Sequence, residues 1–288
     1  MKKILITGGN GQIAYEFVRS FQAKNITLRS PAHAELDITN ADAVMQVIQD
    51  YQPDVVINSA AYTRVDLAET ESQQAYAVNE QGAKNLAIAC AKIKCTLVHI
   101  STDYVFSGAH NTPYVETDPA QPISIYGDSK LRGEQAVQEY CDQSIILRVS
   151  GVFGVHGLNF VKTILRLAKE RESLRVVADQ TICPTPAKKI AEVIWQILLN
   201  PQWGIYHYCG EQITNWHAFA KVIVQTAKDA NIALSVKQID AITTADYPLP
   251  AKRPPYSVLN CEKMYKIFGI IQPDWNQGVA DVIAELSH

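Results

Sequence analysis

The sequence predicts an α/β protein with a doubly wound parallel sheet and a smaller C-terminal lobe. In the first half of the chain, short apolar runs alternate with amphipathic segments, an order typical of β-α-β units that feed a parallel sheet. A glycine-rich turn follows the first of these apolar runs. The chain has 288 residues, 47% of them hydrophobic, which is enough to bury a large core.

The apolar runs predict buried strands, because each run is short and is bounded by polar residues or glycine. These strands cover residues 3–7, 26–29, 54–58, 96–100 and 145–149. Between them, apolar residues recur at spacings of three and four, which predicts helices. The first helix carries Ile13, Phe17, Val18 and Phe21, and later helices cover residues 42–51, 72–94 and 129–140.

Beyond residue 150 the alternation becomes less regular. Helices are predicted over residues 160–171, 187–199 and 216–230, and strands over residues 174–178 and 205–209. Prolines then gather at positions 248, 250, 254 and 255. We therefore expect a sheet domain over residues 1–150, followed by residues 151–288, which mainly form a lobe over the carboxyl edge of the sheet. Some helices of this second region are expected to pack back on the first domain.

The composition favours a small-molecule ligand over nucleic acid or a membrane. The net charge is -3, the pI is about 6.2, and the lysines and arginines are scattered rather than clustered. The six cysteines include no Cys-x-x-Cys pair and are expected to be reduced packing residues. The apolar run Ile4-Leu-Ile6 is too short for a signal peptide, and no stretch is long enough to span a membrane. The sequence therefore predicts a cytoplasmic protein.

The glycine-rich turn has the sequence Gly8-Gly-Asn-Gly11-Gln-Ile-Ala14 and lies between a predicted strand and a predicted helix. This is the context of a dinucleotide-binding fingerprint, in which small residues let the pyrophosphate approach and the helix N-terminus favours its negative charge. Residues 1–150 are therefore predicted to form an NAD(P)-binding domain of the Rossmann type, with Gly8 and Gly11 at the cofactor. A tight strand-to-helix turn without a ligand is the alternative.

The end of the second strand bears on the choice of cofactor. In the usual fingerprint an acidic residue about 20 positions beyond the glycines holds the adenosine ribose. Here the strand ends with Arg29-Ser30, which suits the 2′-phosphate of NADPH; NADH is the alternative if Arg29 is only a solvated strand end. Asp37 and Ile38 are expected against the adenine, and the small residues within Asn58–Thr63 are expected to bring the backbone close to the cofactor ribose.

Tyr126 and Lys130 lie four residues apart, so their side chains can share one face if the helix predicted over residues 129–140 extends back to Tyr126. A neighbouring ammonium favours the phenolate, and we expect Lys130 to lower the tyrosine pKa from about 10 towards neutral pH, as a general acid requires. Thr102 follows a buried strand at the sheet edge where ligands collect, so its hydroxyl can reach a substrate carbonyl. Together the three residues suit carbonyl reduction, with a cofactor supplying the hydride. The alternatives are an exposed helical pair and a threonine that only caps a turn.

Motifs along nearly the whole chain show a family resemblance. They are the glycine-rich turn, Asn58-Ser-Ala-Ala-Tyr-Thr-Arg-Val-Asp66-Leu-Ala-Glu69, Ser101-Thr-Asp-Tyr-Val-Phe106, Pro113-Tyr-Val-Glu116, Tyr126-Gly-Asp-Ser-Lys130-Leu-Arg-Gly-Glu134, Asn159-Phe160, Asp179-Gln180, Pro184-Thr185 and Arg253-Pro254. The chain thereby resembles the extended short-chain dehydrogenase/reductases and, within them, the dTDP-4-dehydrorhamnose reductase family.

This resemblance implies roles for individual residues. Tyr126 would donate a proton to the C4 oxygen of the sugar, and Lys130 would bind the nicotinamide ribose and tune Tyr126. The expected substrate contacts are Thr102, Asp103, Gly151, Asn159 and Arg253, and the substrate is a nucleotide sugar. The expected cofactor contacts also include Gly11, Gln12, Ile13, Asp37, Ile38, Ala61, Tyr62 and Thr63.

The chain also departs from the family pattern. Gly151 stands where such reductases commonly carry a tryptophan that walls the sugar pocket, and Cys183 and Tyr256 replace other usual residues of the substrate lobe. Some family members form homodimers through acidic residues and magnesium. Glu16 matches one such position but Lys188 replaces another acid, so a homodimer stays open and no metal site is predicted.

The leading hypothesis is NADPH-dependent reduction of the 4-keto group of a dTDP-4-dehydro-6-deoxyhexose. The most direct reaction converts dTDP-4-dehydro-L-rhamnose to dTDP-L-rhamnose for a surface polysaccharide such as lipopolysaccharide. Another dTDP-deoxysugar, of the other C4 configuration or of the dihydrostreptose type, is one alternative. A non-catalytic NADP-binding regulatory subunit is another. A 4,6-dehydratase is disfavoured, because Tyr104 rather than glutamate follows Asp103.

Overall fold

A computed structural model describes residues 2–21 and 26–287. The strands are β1 (Lys2–Thr7), β2 (Ile26–Arg29), β3 (Val55–Asn58), β4 (Thr96–Thr102), β5 (Ser144–Val149), β6 (Val152–Phe153), β7 (Ser173–Val177), β8 (Thr181–Ile182), β9 (Thr185–Pro186), β10 (Gly204–Tyr208), β11 (Thr214–Asn215) and β12 (Gln238–Ile242). The α-helices are α1 (Gln12–Phe21), α2 (Ala41–Tyr51), α3 (Val65–Ala68), α4 (Ser72–Tyr76), α5 (Ala83–Ile93), α6 (Ile125–Tyr140), α7 (Phe160–Glu170), α8 (Ala187–Ile197), α9 (Trp216–Asp229), α10 (Glu262–Phe268) and α11 (Trp275–Leu286).

The central sheet has six strands in the order β2-β1-β3-β4-β5-β10, and every neighbouring pair is parallel. This confirms the predicted α/β fold with a doubly wound parallel sheet. The outermost strand, β10, comes from beyond residue 150 and pairs with β5. The place of this strand in the central sheet was not predicted from the sequence.

Both faces of the sheet are covered, which explains why its strands are continuous apolar runs. On one face, Ile4 and Ile6 pack in a core with residues of α1 and α8. On the other face, Leu5 packs with residues of α2, α5 and α6. A separate core holds the second lobe together, where α7, α9 and α11 pack around Phe153 and Phe219.

The helix predicted over residues 72–94 is interrupted by a π-helical turn, Ala77–Gly82. The turn presents Asn79 to the interior, where this residue is only 1% exposed. Helix α6 packs closely here, because a side chain on Gly133 would collide with the Asn79 carbonyl. Periodicity alone could not predict this extra residue per turn, which depends on the approach of a second helix.

Helix α6 begins earlier than predicted, at Ile125 rather than residue 129. Ser124 caps it by accepting a hydrogen bond from the Gly127 amide at 3.2 Å. The cap places Tyr126 in the first turn of the helix. All six cysteines are buried and free of disulfides, as packing residues would be, and their reduced state stays a prediction. Within residues 2–21 and 26–287, no helix is long and apolar enough to cross a membrane.

Candidate active site

The glycine-rich turn forms a narrow cradle before α1. The Gly11 amide donates to the Gly8 carbonyl at 2.7 Å, and Gly8 has a φ of +71°, a conformation that favours glycine. A Cβ on Gly8 would lie 2.8 Å from the backbone of Ala60, and one on Gly9 would collide with the Ser30 carbonyl. Backbone amides at a helix start, without side chains above them, fit the pyrophosphate of a dinucleotide.

The other predicted cofactor residues lie around this cradle with different exposure. Arg29 is exposed at the end of β2, with its guanidinium 6.0 Å from the Tyr51 ring centroid. Ile13 and Ile38 are buried in the two cores that cover the faces of the sheet. Asp37 accepts hydrogen bonds from the amide and hydroxyl of Thr39 at 2.9 and 2.8 Å. Burial tends to raise the pKa of Asp37, but the two hydrogen bonds from Thr39 lower it, and the net shift is downward.

Asn79 connects the predicted cofactor loop with α6, and it was not among the predicted site residues. Its side chain accepts from the Tyr62 amide at 2.8 Å and donates to the Tyr62 carbonyl at 3.1 Å. It also donates to the Ser129 hydroxyl, which in turn donates to the Tyr126 carbonyl at 2.8 Å. Ala61 and Thr63 flank Tyr62 in sequence and are half-buried and exposed respectively. Because Glu80 and Gln81 follow Asn79 directly, the polarity of Asn79 did not distinguish it in the sequence.

The structure brings Thr102, Tyr126 and Lys130 together at the carboxyl end of β4. The Tyr126 hydroxyl is hydrogen-bonded to Thr102, which donates to an Asp103 carboxylate oxygen at 2.9 Å. Lys130 follows one turn after Tyr126 on α6, and its Nζ donates to the Ile100 carbonyl at 2.6 Å. The strand and the helix thus hold a phenol, a hydroxyl and a buried amine around one point.

The pKa of Tyr126 is shifted in the direction opposite to the sequence-based expectation. Burial raises the pKa of Tyr126 to about 12, although the Thr102 hydrogen bond acts in the opposite direction. Lys130 does not lower it, because the ammonium is directed at the Ile100 carbonyl. Burial instead lowers the pKa of Lys130 to about 8, against the favourable charge of Glu134. At neutral pH Tyr126 is a protonated phenol, the form that a proton donor needs.

Asp103 is buried beside this group and is held by three hydroxyls. Ser150 donates to its second carboxylate oxygen at 2.8 Å, and Ser257 and Thr102 are also hydrogen-bonded to it. Burial raises the pKa of Asp103, and the hydroxyls oppose that rise. Ser150 and Ser257 were not predicted, because only the tertiary fold brings their segments to Asp103.

Arg253 is paired with Asp66. Its guanidinium donates to both carboxylate oxygens, at 3.0 and 2.8 Å. Tyr104 lies between Arg253 and Tyr126, and its ring centroid is 5.6 Å from that of Tyr126 in an edge-on arrangement. Arg253 therefore lies near Tyr104, with its charge already paired with Asp66.

The backbone at position 151 would be strained if any residue other than glycine stood there. Its φ is +53°, and a Cβ there would lie 3.1 Å from the Pro184 Cα. The Thr185 amide donates to the Gly151 carbonyl at 3.2 Å, which fixes the two segments together. The chain segment at Cys183–Pro184 thus lies where a side chain on residue 151 would begin.

A buried charged network lies beyond Lys130 on α6. Glu134 and Arg148 form a bidentate ion pair, with N-to-O distances of 2.9 and 2.6 Å and side chains only 1% and 4% exposed. His207 lies against it, with its Nε2 3.4 Å from an Arg148 nitrogen and its Nδ1 3.0 Å from the Tyr114 carbonyl. Burial, followed by the charge of Arg148, lowers the pKa of His207 to about 3.

This histidine predicts acid sensitivity. Its pKa is about 3 in the folded protein and 6.5 in the unfolded chain, so between these pH values the unfolded state binds more protons. Above pH 6.5, His207 makes its whole contribution to the free energy of unfolding. As the pH falls below 6.5, this free energy should decrease by about 1.4 kcal/mol per pH unit. Urea titrations at several pH values would measure the slope. A His207→Gln variant should show a shallower slope, and equal slopes would contradict the assignment.

Glu16 and Lys188, together with Gly154 and Val155, line a cleft of about 480 Å³ beside α1. Burial raises the pKa of the Glu16 carboxyl, while the neighbouring Arg19 opposes the rise. In the part of the chain that the structure describes, no group of three or more His, Cys, Asp or Glu side chains is arranged to hold a metal ion.

Comparisons with known proteins place the chain in a family. The profile of the family described as RmlD substrate binding domain matches residues 1–288. The dTDP-4-dehydrorhamnose reductase of Aggregatibacter actinomycetemcomitans is 42% identical over 291 residues, covering 99% of each chain.

Solved structures agree. A dTDP-4-dehydrorhamnose reductase from Clostridium acetobutylicum has a TM-score of 0.95 and 37% identity, covering 99% of this chain and 100% of that one. The Bacillus anthracis enzyme in complex with NADP has a TM-score of 0.93 and 37% identity, covering 99% of each chain. These likenesses confirm the resemblance inferred from the sequence motifs. The chain belongs to the dTDP-4-dehydrorhamnose reductase family.

Proposed function

We propose that this protein reduces the 4-keto group of dTDP-4-dehydro-L-rhamnose to give dTDP-L-rhamnose, with NADPH as the reductant. The grouping of Thr102, Tyr126 and Lys130 at the carboxyl end of β4 carries this proposal. It places a protonated phenol, a second hydroxyl and a cation around one point, as reduction of a carbonyl group needs. The choice of sugar substrate is supported by the full-length similarity to dTDP-4-dehydrorhamnose reductases.

The residues of the site divide the work of the reaction. Bound NADPH would supply the hydride that C4 of the sugar receives. Tyr126 donates its phenolic proton to the C4 oxygen, which becomes a hydroxyl, and the phenolate then regains a proton from solvent. Before the sugar binds, Thr102 donates to Asp103, which Ser150 and Ser257 hold in place. In the reaction the Thr102 hydroxyl turns to donate its hydrogen bond to the C4 oxygen instead. Lys130 would bind the nicotinamide ribose, as the family resemblance implies.

The cofactor preference rests on the glycine cradle and on Arg29. The cradle admits backbone but no additional side chain, as a bound pyrophosphate requires. Arg29 is exposed at the neighbouring strand end and is free of any carboxylate partner in an ion pair among the described residues. The relative from Bacillus anthracis was solved with NADP. These observations support NADPH over NADH.

Replacing Arg29 with alanine should weaken NADPH specifically. A charge-assisted contact with the 2′-phosphate is worth about 1.5–3 kcal/mol, so the KM for NADPH is expected to rise by about 10-fold or more. The KM for NADH should change by less than about twofold, because NADH lacks that phosphate. Steady-state kinetics with both cofactors would measure this difference. Arg166→Ala, at an exposed arginine on α7, is the matched control. Equal effects on both cofactors would argue against the role of Arg29.

We also propose that the protein acts in the cytoplasm and supplies an activated sugar to surface polysaccharide such as lipopolysaccharide. Nucleotide-linked sugars are donors for glycosyl transfer, which supports a place before polysaccharide assembly. A homodimer is a further proposal, which light scattering of the purified protein would test. A molecular mass near the 31.9 kDa of one chain would contradict it.

The proposed reaction is tested by following NADPH oxidation with dTDP-4-dehydro-L-rhamnose. Turnover that depends on both compounds is expected. Gly151 gives a specific reason to include other dTDP-4-keto sugars, because the wall of the sugar pocket departs from the family pattern there. Faster turnover with another sugar would move the assignment to that substrate. NADPH binding without turnover of any sugar would instead favour a regulatory subunit.

A further inference from the structure

Residues 154–159 form a loop, here called the 154–159 loop, that joins β6 to α7 and lies against the glycine-rich turn. The side chain of Asn159 makes the first connection. Its Nδ2 donates to the Gln12 side-chain oxygen at 2.9 Å and to the Gly154 carbonyl at 2.7 Å. One amide group thus closes the loop on itself and attaches it to the first residue of α1.

His156 makes the second connection. Its Nε2 lies 3.0 Å from the Asn10 carbonyl oxygen, which can only accept, so Nε2 carries the proton of this hydrogen bond. The imidazole also stacks on the Tyr15 ring, with centroids 4.4 Å apart and planes inclined by 8°. The 154–159 loop therefore contacts the glycine-rich turn and the first turn of α1 on either side of Gly11.

Asn159 has little capacity left for a sugar. Both hydrogens of its amide are used by Gln12 and Gly154. Its oxygen accepts from the Lys162 amide at 3.1 Å and caps α7. The resemblance implied a substrate contact for this residue, yet all its hydrogen bonds in the structure go to the glycine-rich turn, the loop itself and α7.

We infer that the 154–159 loop fixes the shape of the glycine-rich turn, and that His156 and Asn159 are positioning residues for the cofactor pyrophosphate. This inference rests on the proposed binding of NADPH. A phosphate cradle works through backbone amides held in one arrangement, so contacts that restrain Asn10 and Gln12 reduce the ordering that binding would otherwise require. The loop begins the second lobe and so couples that lobe to cofactor affinity.

Fluorescence titration with NADPH tests the inference on the full chain. Asn159→Ser keeps an oxygen that can cap α7 and adds no charge, but it cannot make both bonds to Gln12 and Gly154. Its Kd for NADPH should rise by about 10-fold, the effect of losing one to two hydrogen bonds. His156→Ala should raise the Kd in the same direction. The KM for the sugar, measured at saturating NADPH, should stay within about twofold in both variants.

Leu158 provides a matched control on the same loop. Its side chain is 93% exposed, so Leu158→Ala should leave the Kd unchanged. A raised sugar KM with an unchanged NADPH Kd in Asn159→Ser would overturn the inference and restore a substrate contact. An unchanged Kd for NADPH in His156→Ala would also overturn the inference. This second variant keeps the test decisive if Asn159→Ser fails to fold. The titration measures binding and needs no turnover. A protein that binds NADPH but reduces no sugar would contradict the proposed reaction, and the Kd values of the variants would still test the positioning role of His156 and Asn159.

Discussion

Replacing Tyr126 with phenylalanine is expected to lower kcat by about 10²-fold or more. The variant keeps the ring that packs edge-on against Tyr104 but loses the phenolic hydroxyl that is hydrogen-bonded to Thr102. The Kd for NADPH should change little, because the glycine cradle does not involve this hydroxyl. Stopped-flow measurement of NADPH oxidation at saturating sugar, together with a binding titration, would separate the two effects.

Tyr76→Phe is the matched control for this experiment. Its hydroxyl donates to the Asp128 carboxylate at 2.6 Å, so the same chemical change removes a phenolic hydrogen bond away from Thr102. We expect nearly full activity in the control. Similar activities in the two variants would show that Tyr126 is not the proton donor and would remove the basis of the proposed reaction.

Replacing Arg148 with leucine should destabilise the folded protein by about 3–5 kcal/mol, because Glu134 is left buried without a partner. Few other groups can compensate, since both side chains are almost fully enclosed. The guanidinium also lies 5.0 Å from the Phe106 ring centroid, and this contact is lost as well. Equilibrium urea denaturation at pH 7 would measure the change in the free energy of unfolding.

Two controls separate this effect from the loss of any arginine. Arg166→Leu removes an exposed ion pair with Glu170 and should cost less than about 1 kcal/mol. The double variant Arg148→Met with Glu134→Gln removes both charges and should be more stable than Arg148→Leu alone. A double variant as unstable as the single one would show that packing, rather than the uncompensated carboxylate, determines the loss.

Local patterns in the sequence were sufficient for the fold class and for grouping the candidate reactive residues. The apolar runs predicted the inner strands because burial on both faces of a parallel sheet requires such runs. Tyr126 and Lys130 could be paired because helical spacing alone sets their common face. The position of β10 in the sheet was not predictable in this way, since its strand signal does not state which neighbour it joins.

The rest of the site depends on distant segments. Ser150 and Ser257 are separated in sequence from Asp103, and nothing in either neighbourhood indicates that they meet. The predicted direction of the Tyr126 pKa shift was wrong because it too depends on a distant segment. Helical spacing suggested an ammonium beside the phenol, whereas the Ile100 carbonyl of another element binds that ammonium and burial then dominates.

The most direct test of the proposed reaction is to follow the hydride itself. The protein would be incubated with dTDP-4-dehydro-L-rhamnose and NADPH that carries deuterium at the transferable nicotinamide position, and the sugar product would be examined by NMR. The site described here predicts dTDP-L-rhamnose with deuterium at C4, and no such product with Tyr126→Phe on the same timescale. A product without deuterium at C4, or with the opposite configuration there, would contradict the assignment.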